Sequence, residues 1–267
     1  MQAIILVGGL GTRLRQVVKD RPKPMALVNG KPFLEYVINN LKSMGIKDII
    51  LATGYKEDII REYFGNGEHL GVNIDYSKEE SPLGTGGAIK NAERFIKHDE
   101  VFVLNGDTYL NVNLKAMMDF HRESKSFFTM ALRKVEDGSR YGSVKLAENS
   151  QILSFEEKVD LNLNKDKDIS KYKWIDERRD INKKNHISND NCIDKGKYIN
   201  AGVYLIDSSI LNYIEENKNV SLEKDILPDL VKEVYMCGFK FKNYFIDIGI
   251  PEDYLKFCED IKQGVII

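Results

Sequence analysis

Residues 3–25 read AIILVGGLGTRLRQVVKDRPKPM, an apolar, β-branched run that breaks into glycine and then into arginine, lysine and proline. Ala3 to Val7 has the composition of a buried strand. Gly8, Gly9 and Gly11 permit the tight or positive-φ backbone that brings amide protons up to phosphate oxygens, and Arg13 and Lys23 add fixed positive charge. Two familiar phosphate loops fail on spacing. A P-loop needs GxxxxGK followed by Ser or Thr, but Gly30 and Lys31 are followed by Pro32 and Met25 stands at the first glycine position. A dinucleotide fingerprint needs a third glycine where Leu14 stands. By itself a glycine-rich turn is weak evidence, and a strand-to-loop turn with solvated basic residues is the simpler alternative.

Outward from this segment, short apolar runs alternate with amphipathic ones, the pattern of βαβ units around a doubly wound, mostly parallel α/β sheet of Rossmann-like type. A helix is expected from about Pro32, with Phe33, Leu34, Val37, Ile38, Leu41 and Met44 at helical spacing and Gly45 at its C-terminal end. The pattern then predicts a strand at Asp48 to Thr53, a helix at Glu57 to Phe64, a strand at Val72 to Ser77, a helix at Gly87 to Phe95 and a buried strand at Val101 to Leu104. Further strands are expected at Phe127 to Arg133, Gly142 to Leu146, Ile152 to Glu156, Ile199 to Ile206 and Gly238 to Ile246. Helices are expected at Ser209 to Ile214, Leu222 to Glu233 and Pro251 to Ile261. From about Asp160 to Lys197 the chain is rich in Lys, Asp and Asn with little periodicity, and reads as a solvated insertion. Within it Tyr172, Trp174 and Ile175 are suited either to docking on the body or to meeting another subunit.

A chain of 267 residues with 42% hydrophobic residues is long enough for one α/β domain over 1–267. No apolar stretch approaches the roughly 20 residues of a membrane span, and no secretory signal precedes the first strand, so a cytoplasmic location is expected. The net charge of −2 gives no general attraction for nucleic acid or anionic membrane. Cys192, Cys237 and Cys258 are odd in number and widely spaced, indicating neither a disulfide framework nor a zinc site.

The motifs match one family in order along nearly the whole chain. GGLGTRL and PKP resemble the signature of the sugar-phosphate nucleotidyltransferases, and SPLGTGGAI from Ser81 to Ile89 resembles their nucleotide-contacting glycine loop. NGDTY from Asn105 to Tyr109 is similar to the family's metal-binding aspartate turn. FEEK from Phe155 to Lys158, INAGVY from Ile199 to Tyr204 and YFIDIGIPEDY from Tyr244 to Tyr254 are similar to its sugar and second metal segments. The resemblance implies an enzyme that joins a nucleoside triphosphate to a sugar 1-phosphate with release of pyrophosphate, on a doubly wound sheet with a small β extension on the sugar side. It implies nucleotide contacts from Leu6, Gly8, Gly9, Gly11, Thr12, Arg13, Pro82, Gly84, Thr85 and Gly86. Gly142, Glu157, Lys158, Asn200, Gly202 and Glu223 fall to the sugar phosphate, and Asp107 and Asp247 to Mg2+. Arg13, Lys23 and Asp107 are the implied catalytic residues.

Each residue also has a plainer reading. Asp107 follows the buried run VFVLNG and emerges where α/β sheets bind ligands, yet a turn-former after Gly106 explains it equally. Asp247 is otherwise an ordinary strand-end aspartate, Lys158 a solvated strand-end lysine, and Asn200 and Gly202 part of a plain central strand. Glu223 also fits a charged first helical turn behind a Ser221 cap. Two carboxylates completed by phosphate oxygens suit magnesium, a hard octahedral ion. The attacking sugar phosphate is already ionised near neutrality, so alignment and charge compensation matter more than a general base. Within the family, PKPMALVNGKPFLEY and the SPLGTGGAI loop resemble the guanylyltransferases that act on a heptose 1-phosphate in bacterial surface-polysaccharide synthesis. Mannose-1-phosphate guanylyl- and hexose-1-phosphate uridylyl- or thymidylyltransferases stay open. A non-catalytic nucleotide-sugar sensor is disfavoured, because Arg13, Lys23, Asp107, Lys158 and Asp247 are all present. A homodimer is compatible with the sequence and not specified by it.

Overall fold

The computed structural model describes residues 1–9, 14, 17–18, 20–136, 141–157 and 193–266. The first half runs β1 (Gln2–Leu6), β2 (Leu27–Val28), β3 (Lys31–Pro32), α1 (Phe33–Ser43), β4 (Asp48–Thr53), α2 (Glu57–Phe64), β5 (Asn73–Lys78), α3 (Gly84–Asn91), β6 (Glu100–Asn105), β7 (Thr108–Leu110) and α4 (Leu114–Glu123). The second half runs β8 (Phe128–Lys134), β9 (Ser143–Leu146), β10 (Ile152–Glu156), β11 (Tyr198–Asp207), α5 (Leu227–Glu233), β12 (Met236–Phe241), β13 (Phe245–Asp247) and α6 (Pro251–Lys262).

β1 sits between β4 and β6 and parallel to both, and β5 continues the parallel block beyond β4. With helices on both faces, such a strand buries consecutive residues. Ala3 and Ile5 enter a core shared with α1, α2, α4 and α6, while Ile4 enters a second core shared with α3 and α5. On the far side of β6 the direction reverses: β11 runs antiparallel to β6 and β8, β12 pairs parallel with β8, and the β9–β10 hairpin extends β11. The hairpin is the β extension that the motifs imply.

Local details depart from the periodicity where tertiary contacts override it. The helix expected at 87–95 starts earlier, at Gly84, because Val220 O accepts from Gly86 N at 2.9 Å and Gly87 N at 3.2 Å and so satisfies its opening amides. It ends at Asn91, and Glu93–Phe95 forms a separate 3₁₀ turn. The helix expected at 209–214 is a 3₁₀ turn, Ser208–Tyr213, with Asp207 accepting from Ser209 N. Leu222–Ile226 winds as a π turn ahead of α5, whose Pro228 lies in the first turn and cannot donate to an earlier carbonyl. The strand expected at 238–246 is two, β12 and β13, split by the exposed Lys242 and Asn243 so that each joins a different partner. Most of the expected insertion, 158–192 with Tyr172, Trp174, Ile175 and Cys192, lies outside the described residues; its last residues are tied to the sheet through an Ala147–Ile193 bridge and a Val135 N–Lys197 O hydrogen bond of 3.0 Å. Cys237 and Cys258 are free thiols. No described helix is long and apolar enough to cross a membrane.

Candidate active site

The C-terminal ends of the strands open into a cavity of about 950 Å³. Its residues follow the order of the sheet: Glu79 after β5, Gly54 after β4, Gly8 and Gly9 after β1, Asn105 and Asp107 at the end of β6, and Asn200 and Gly202 on β11. Four strand spacings of about 4.8 Å give a length of roughly 19 Å, enough to seat two ligands end to end.

The middle of the cleft is acidic and built by long-range pairing. β7 and β13 form a two-stranded antiparallel ribbon in which Thr108 faces Asp247, and Ile248 N donates to Asp107 O at 2.9 Å. That ribbon sets Asp107 and Asp247 together although 140 positions separate them. Gly249 N donates to Asp247 Oδ1 at 2.7 Å and fixes that carboxylate. Lys23, in a short 3₁₀ turn between Pro22 and Pro24, inserts its ammonium between the two: Nζ donates to Asp107 Oδ2 and lies 3.7 Å from Asp247 Oδ1. Burial and the Asp107 charge nevertheless push the Asp247 carboxyl up to about 6, with Lys23 pulling the other way. The centre therefore carries more negative charge than one lysine neutralises. Among the described residues no third His, Cys, Asp or Glu joins them to complete a metal shell. That donor set fits an ion that takes one or two carboxylates from the protein and its remaining oxygens from phosphate and water, as magnesium does.

On the β11 side the chain bulges. Asn200 pairs with Leu132 and Tyr204 with Met130, so β11 carries extra residues at Gly202, whose φ of 68° lies in the left-handed region. The bulge turns Asn200 and Tyr204 toward each other: Asn200 Nδ2 donates to Tyr204 Oη at 2.7 Å, and Gly202 N donates to Asn200 Oδ1 at 2.9 Å. The fully buried Tyr204 donates onward to Glu223 Oε1 at 3.1 Å. Burial and the Glu223 charge hold the Tyr204 phenol well above its ordinary pKa, so it stays a donor. Glu223 Oε2 accepts from Thr85 Oγ1 at 2.6 Å and from Ser221 Oγ at 3.2 Å. One carboxylate thus links the glycine loop at the start of α3 to the β11 bulge. Ser221 also caps its turn through Lys224 N, so the capping and cleft readings of this segment hold together.

Of the residues singled out in the sequence, Leu6, Gly8, Gly9, Pro82, Gly84, Thr85, Asp107, Gly142, Glu157, Asn200, Gly202, Glu223 and Asp247 line this one cavity. Lys23 joins them through its ion pairs, and Gly86 is buried one layer behind. Gly11, Thr12, Arg13 and Lys158 lie outside the described residues. The sequence reading missed Glu79, Tyr55 and Phe245 on the cavity wall, and the bridging role of Tyr204. Tyr204 closes the INAGVY motif and was within reach of a reading that counted the bulge. Glu79 is one acid in the run SKEESP, and nothing in that run marks it.

A crevice across the strand ends of a doubly wound sheet, with glycine turns at one side and paired carboxylates with a lysine at its centre, defines an α/β enzyme that handles nucleotides and phosphates. The chain belongs to the nucleotidyl transferase family, whose model matches residues 2–264. It is 41% identical over 257 residues to a D-glycero-alpha-D-manno-heptose 1-phosphate guanylyltransferase of Campylobacter jejuni, covering 96% of this chain and 98% of that one. It is 39% identical to the enzyme of the same name from Aneurinibacillus thermoaerophilus, covering 99% of this chain and 100% of the other. The crystal structure of HddC from Yersinia pseudotuberculosis complexed with GMP-PN superposes with a TM-score of 0.75 at 34% identity, over 97% of this chain and 99% of that one.

Proposed function

We propose that this enzyme transfers GMP from GTP to D-glycero-α-D-manno-heptose 1-phosphate, giving the GDP-sugar and pyrophosphate. The observation that carries the reading is the meeting of Lys23, Asp107 and Asp247 in one cleft between the glycine turns and the β11 bulge. The relatives at 41% and 39% identity support the choice of base and sugar.

Asp107 and Asp247 would hold Mg2+, which would supply neutralisation of phosphate charge when bound. The chain's own groups do the rest. Arg13 and the amides of Gly8 to Thr12 bind the triphosphate, Lys23 stands between the two phosphates, and Lys158 meets the incoming sugar phosphate. Because that phosphate is already ionised, with a second pKa of about 6, no side chain has to remove a proton from it. What remains is in-line alignment and compensation of charge in the transition state. Asn200, with its amide oriented by Tyr204 and Gly202, offers both donor and acceptor to sugar hydroxyls, and Glu223 adds an acceptor. The same reading places the enzyme in the cytoplasm, where its triphosphate is made. Pyrophosphate release measured over GTP, UTP, dTTP and ATP against heptose, mannose and glucose 1-phosphates, with and without Mg2+, tests it. A higher kcat/KM for UTP or dTTP, or for a hexose 1-phosphate, refutes the assignment of base or sugar. Full activity in chelator refutes the metal.

A further inference from the structure

Lys23 reaches the two carboxylates from a segment distant from both in sequence, so the position of its ammonium depends on what holds that segment. The turn around Lys23 is stiff. Pro22 and Pro24 flank it, Met25 N donates to Pro22 O at 2.8 Å, and Ala26 N donates to Lys23 O at 3.0 Å. Beyond it β2 and β3 close a hairpin in which Phe33 N donates to Ala26 O at 2.8 Å. Met25, Ala26 and Val28 are buried, which sets the depth of the hairpin in the core but, being non-directional, not its lateral position. Directional anchors come from two tyrosines. Tyr36 Oη of α1 donates to Val28 O at 3.0 Å, and Tyr254 Oη of α6 donates to Leu27 O at 2.5 Å. Leu27 turns its side chain largely to solvent, at 41% exposure, so its carbonyl is what ties it to the body.

Tyr254 belongs to the same stretch as Asp247. From Asp247 the chain passes through Ile248, whose N–H is on Asp107 O, and Gly249, whose N–H is on Asp247 Oδ1. It then enters α6 at Pro251, and Tyr254 N closes the first turn on Ile250 O at 3.1 Å. A Cβ added to Gly249 would stand 3.0 Å from Asp247 Oδ1 and 3.4 Å from Lys23 Nζ, so this stretch lies directly against the ion pair. The Tyr254 ring is buried, and burial together with the neighbouring Cys258 pushes its phenol up to about 12, so it remains a donor. One stiff segment therefore carries a carboxylate at one end and, at the other, a hydroxyl that grips the lysine's hairpin.

We infer that Tyr254 is a positioning residue for guanylyl transfer: its hydroxyl, bound to Leu27 O, holds Lys23 in register with Asp107 and Asp247. The inference rests on the proposed reaction, in which Lys23 stands between the two phosphates. Tyr254 does not border the cavity and acts through the lysine. An ammonium displaced by a fraction of an ångström still attracts phosphate in the ground state but misses the alignment that the in-line transition state requires.

The test is a double-mutant cycle on pyrophosphate release by the full chain with GTP, heptose 1-phosphate and Mg2+. Tyr254→Phe keeps the ring and removes the hydroxyl. Its kcat should fall about tenfold, with the KM for each substrate within about twofold of wild type. In a Lys23→Ala background the same change should alter kcat by less than about twofold, because the group that the hydroxyl positions is gone. A tenfold loss that persists without Lys23 shows that Tyr254 serves general packing, and overturns the inference. So does a Tyr254→Phe enzyme with wild-type kcat. Should Tyr254→Phe fail to melt cooperatively, Tyr254→Met, an unbranched chain that fills the space without a hydroxyl, carries the same cycle. Failure of the underlying reading looks different. A Lys23→Ala enzyme with wild-type turnover rejects the lysine's part in the reaction, and a wild-type preference for UTP or dTTP over GTP rejects guanylyl transfer itself, in both cases before Tyr254 is touched.

Discussion

Replacing Tyr204 by phenylalanine removes one oxygen from the interior and should be felt at both neighbours. The ring keeps its contact with Phe128, 5.3 Å between centroids, so packing is conserved. The lost hydroxyl had accepted from Asn200 Nδ2 at 2.7 Å and donated to Glu223 Oε1 at 3.1 Å. Asn200 borders the cavity and can turn to water, whereas Glu223 Oε1 loses its donor inside. A part-buried acceptor stripped of its partner costs ~1–3 kcal/mol, and about 2 kcal/mol is expected here because Oε2 keeps Thr85 and Ser221. For a chain of this size that lowers Tm by roughly 4–8 °C. Freed from Tyr204, the Asn200 amide is held only by Gly202 N on its Oδ1, and kcat/KM for the sugar phosphate should fall about tenfold while the KM for GTP hardly moves. Calorimetry gives the first quantity, and initial rates at saturating GTP with varied sugar phosphate give the second. A Tyr204→Phe protein that melts within about 1 °C of wild type and keeps its sugar-phosphate kinetics would refute the view that this relay holds the pocket.

Other perturbations probe the centre of the cleft. With the Asp247 carboxyl raised to about 6 from 3.8, the metal-free native state binds more protons than the unfolded chain between those values, so stability should decline as pH rises through that window. A divalent cation should reverse the decline, and Asp247→Asn should remove both effects in a pH series of melting curves; an unchanged slope in the variant contradicts the assignment. Lys23→Ala should cut turnover by about 10²–10³ while still melting cooperatively, the scale seen when one charge-stabilising group is deleted. Wild-type turnover with every candidate substrate would remove Lys23 from the mechanism. Gly202→Ala forces a side chain into the left-handed region and sets a Cβ 2.7 Å from Asn105 Nδ2, and should destabilise by about 1–3 kcal/mol in denaturant titrations. A neutral result would mean that the bulge relaxes freely.

Periodicity carried the parallel block well: Asp48 to Thr53 and Glu57 to Phe64 lie at the bounds expected for them. Such segments bury one face or both, so the hydrophobic pattern and the structure report the same thing. It failed where a distant carbonyl or an unforeseen partner decided the outcome. Gly84 starts α3 because Val220, more than a hundred residues on, accepts its amides. The strand β7 went unread because three buried residues are too few to show a period, and the amphipathic ten-residue helix α4, with its Asn113 cap, was passed over as well. The meeting of Lys23, Asp107 and Asp247 in one cleft was legible through the resemblance of their motifs to a family signature. Glu79 was not, because what distinguishes it is the absence of side chains on Gly8 and Gly54, a property of neighbours that only the fold brings near.

The ribbon of β7 and β13 also ties the acidic centre to the late part of synthesis. Thr108 lies in the first half of the chain and its partner Asp247 close to the last helix. During synthesis the parallel block can assemble while β7 still waits with an unmatched edge. The acidic centre is therefore among the last things to form, and a chain cut short before residue 245 would lack Asp247 together with α6, whose Tyr254 and Phe257 belong to the core that Ala3 and Ile5 enter.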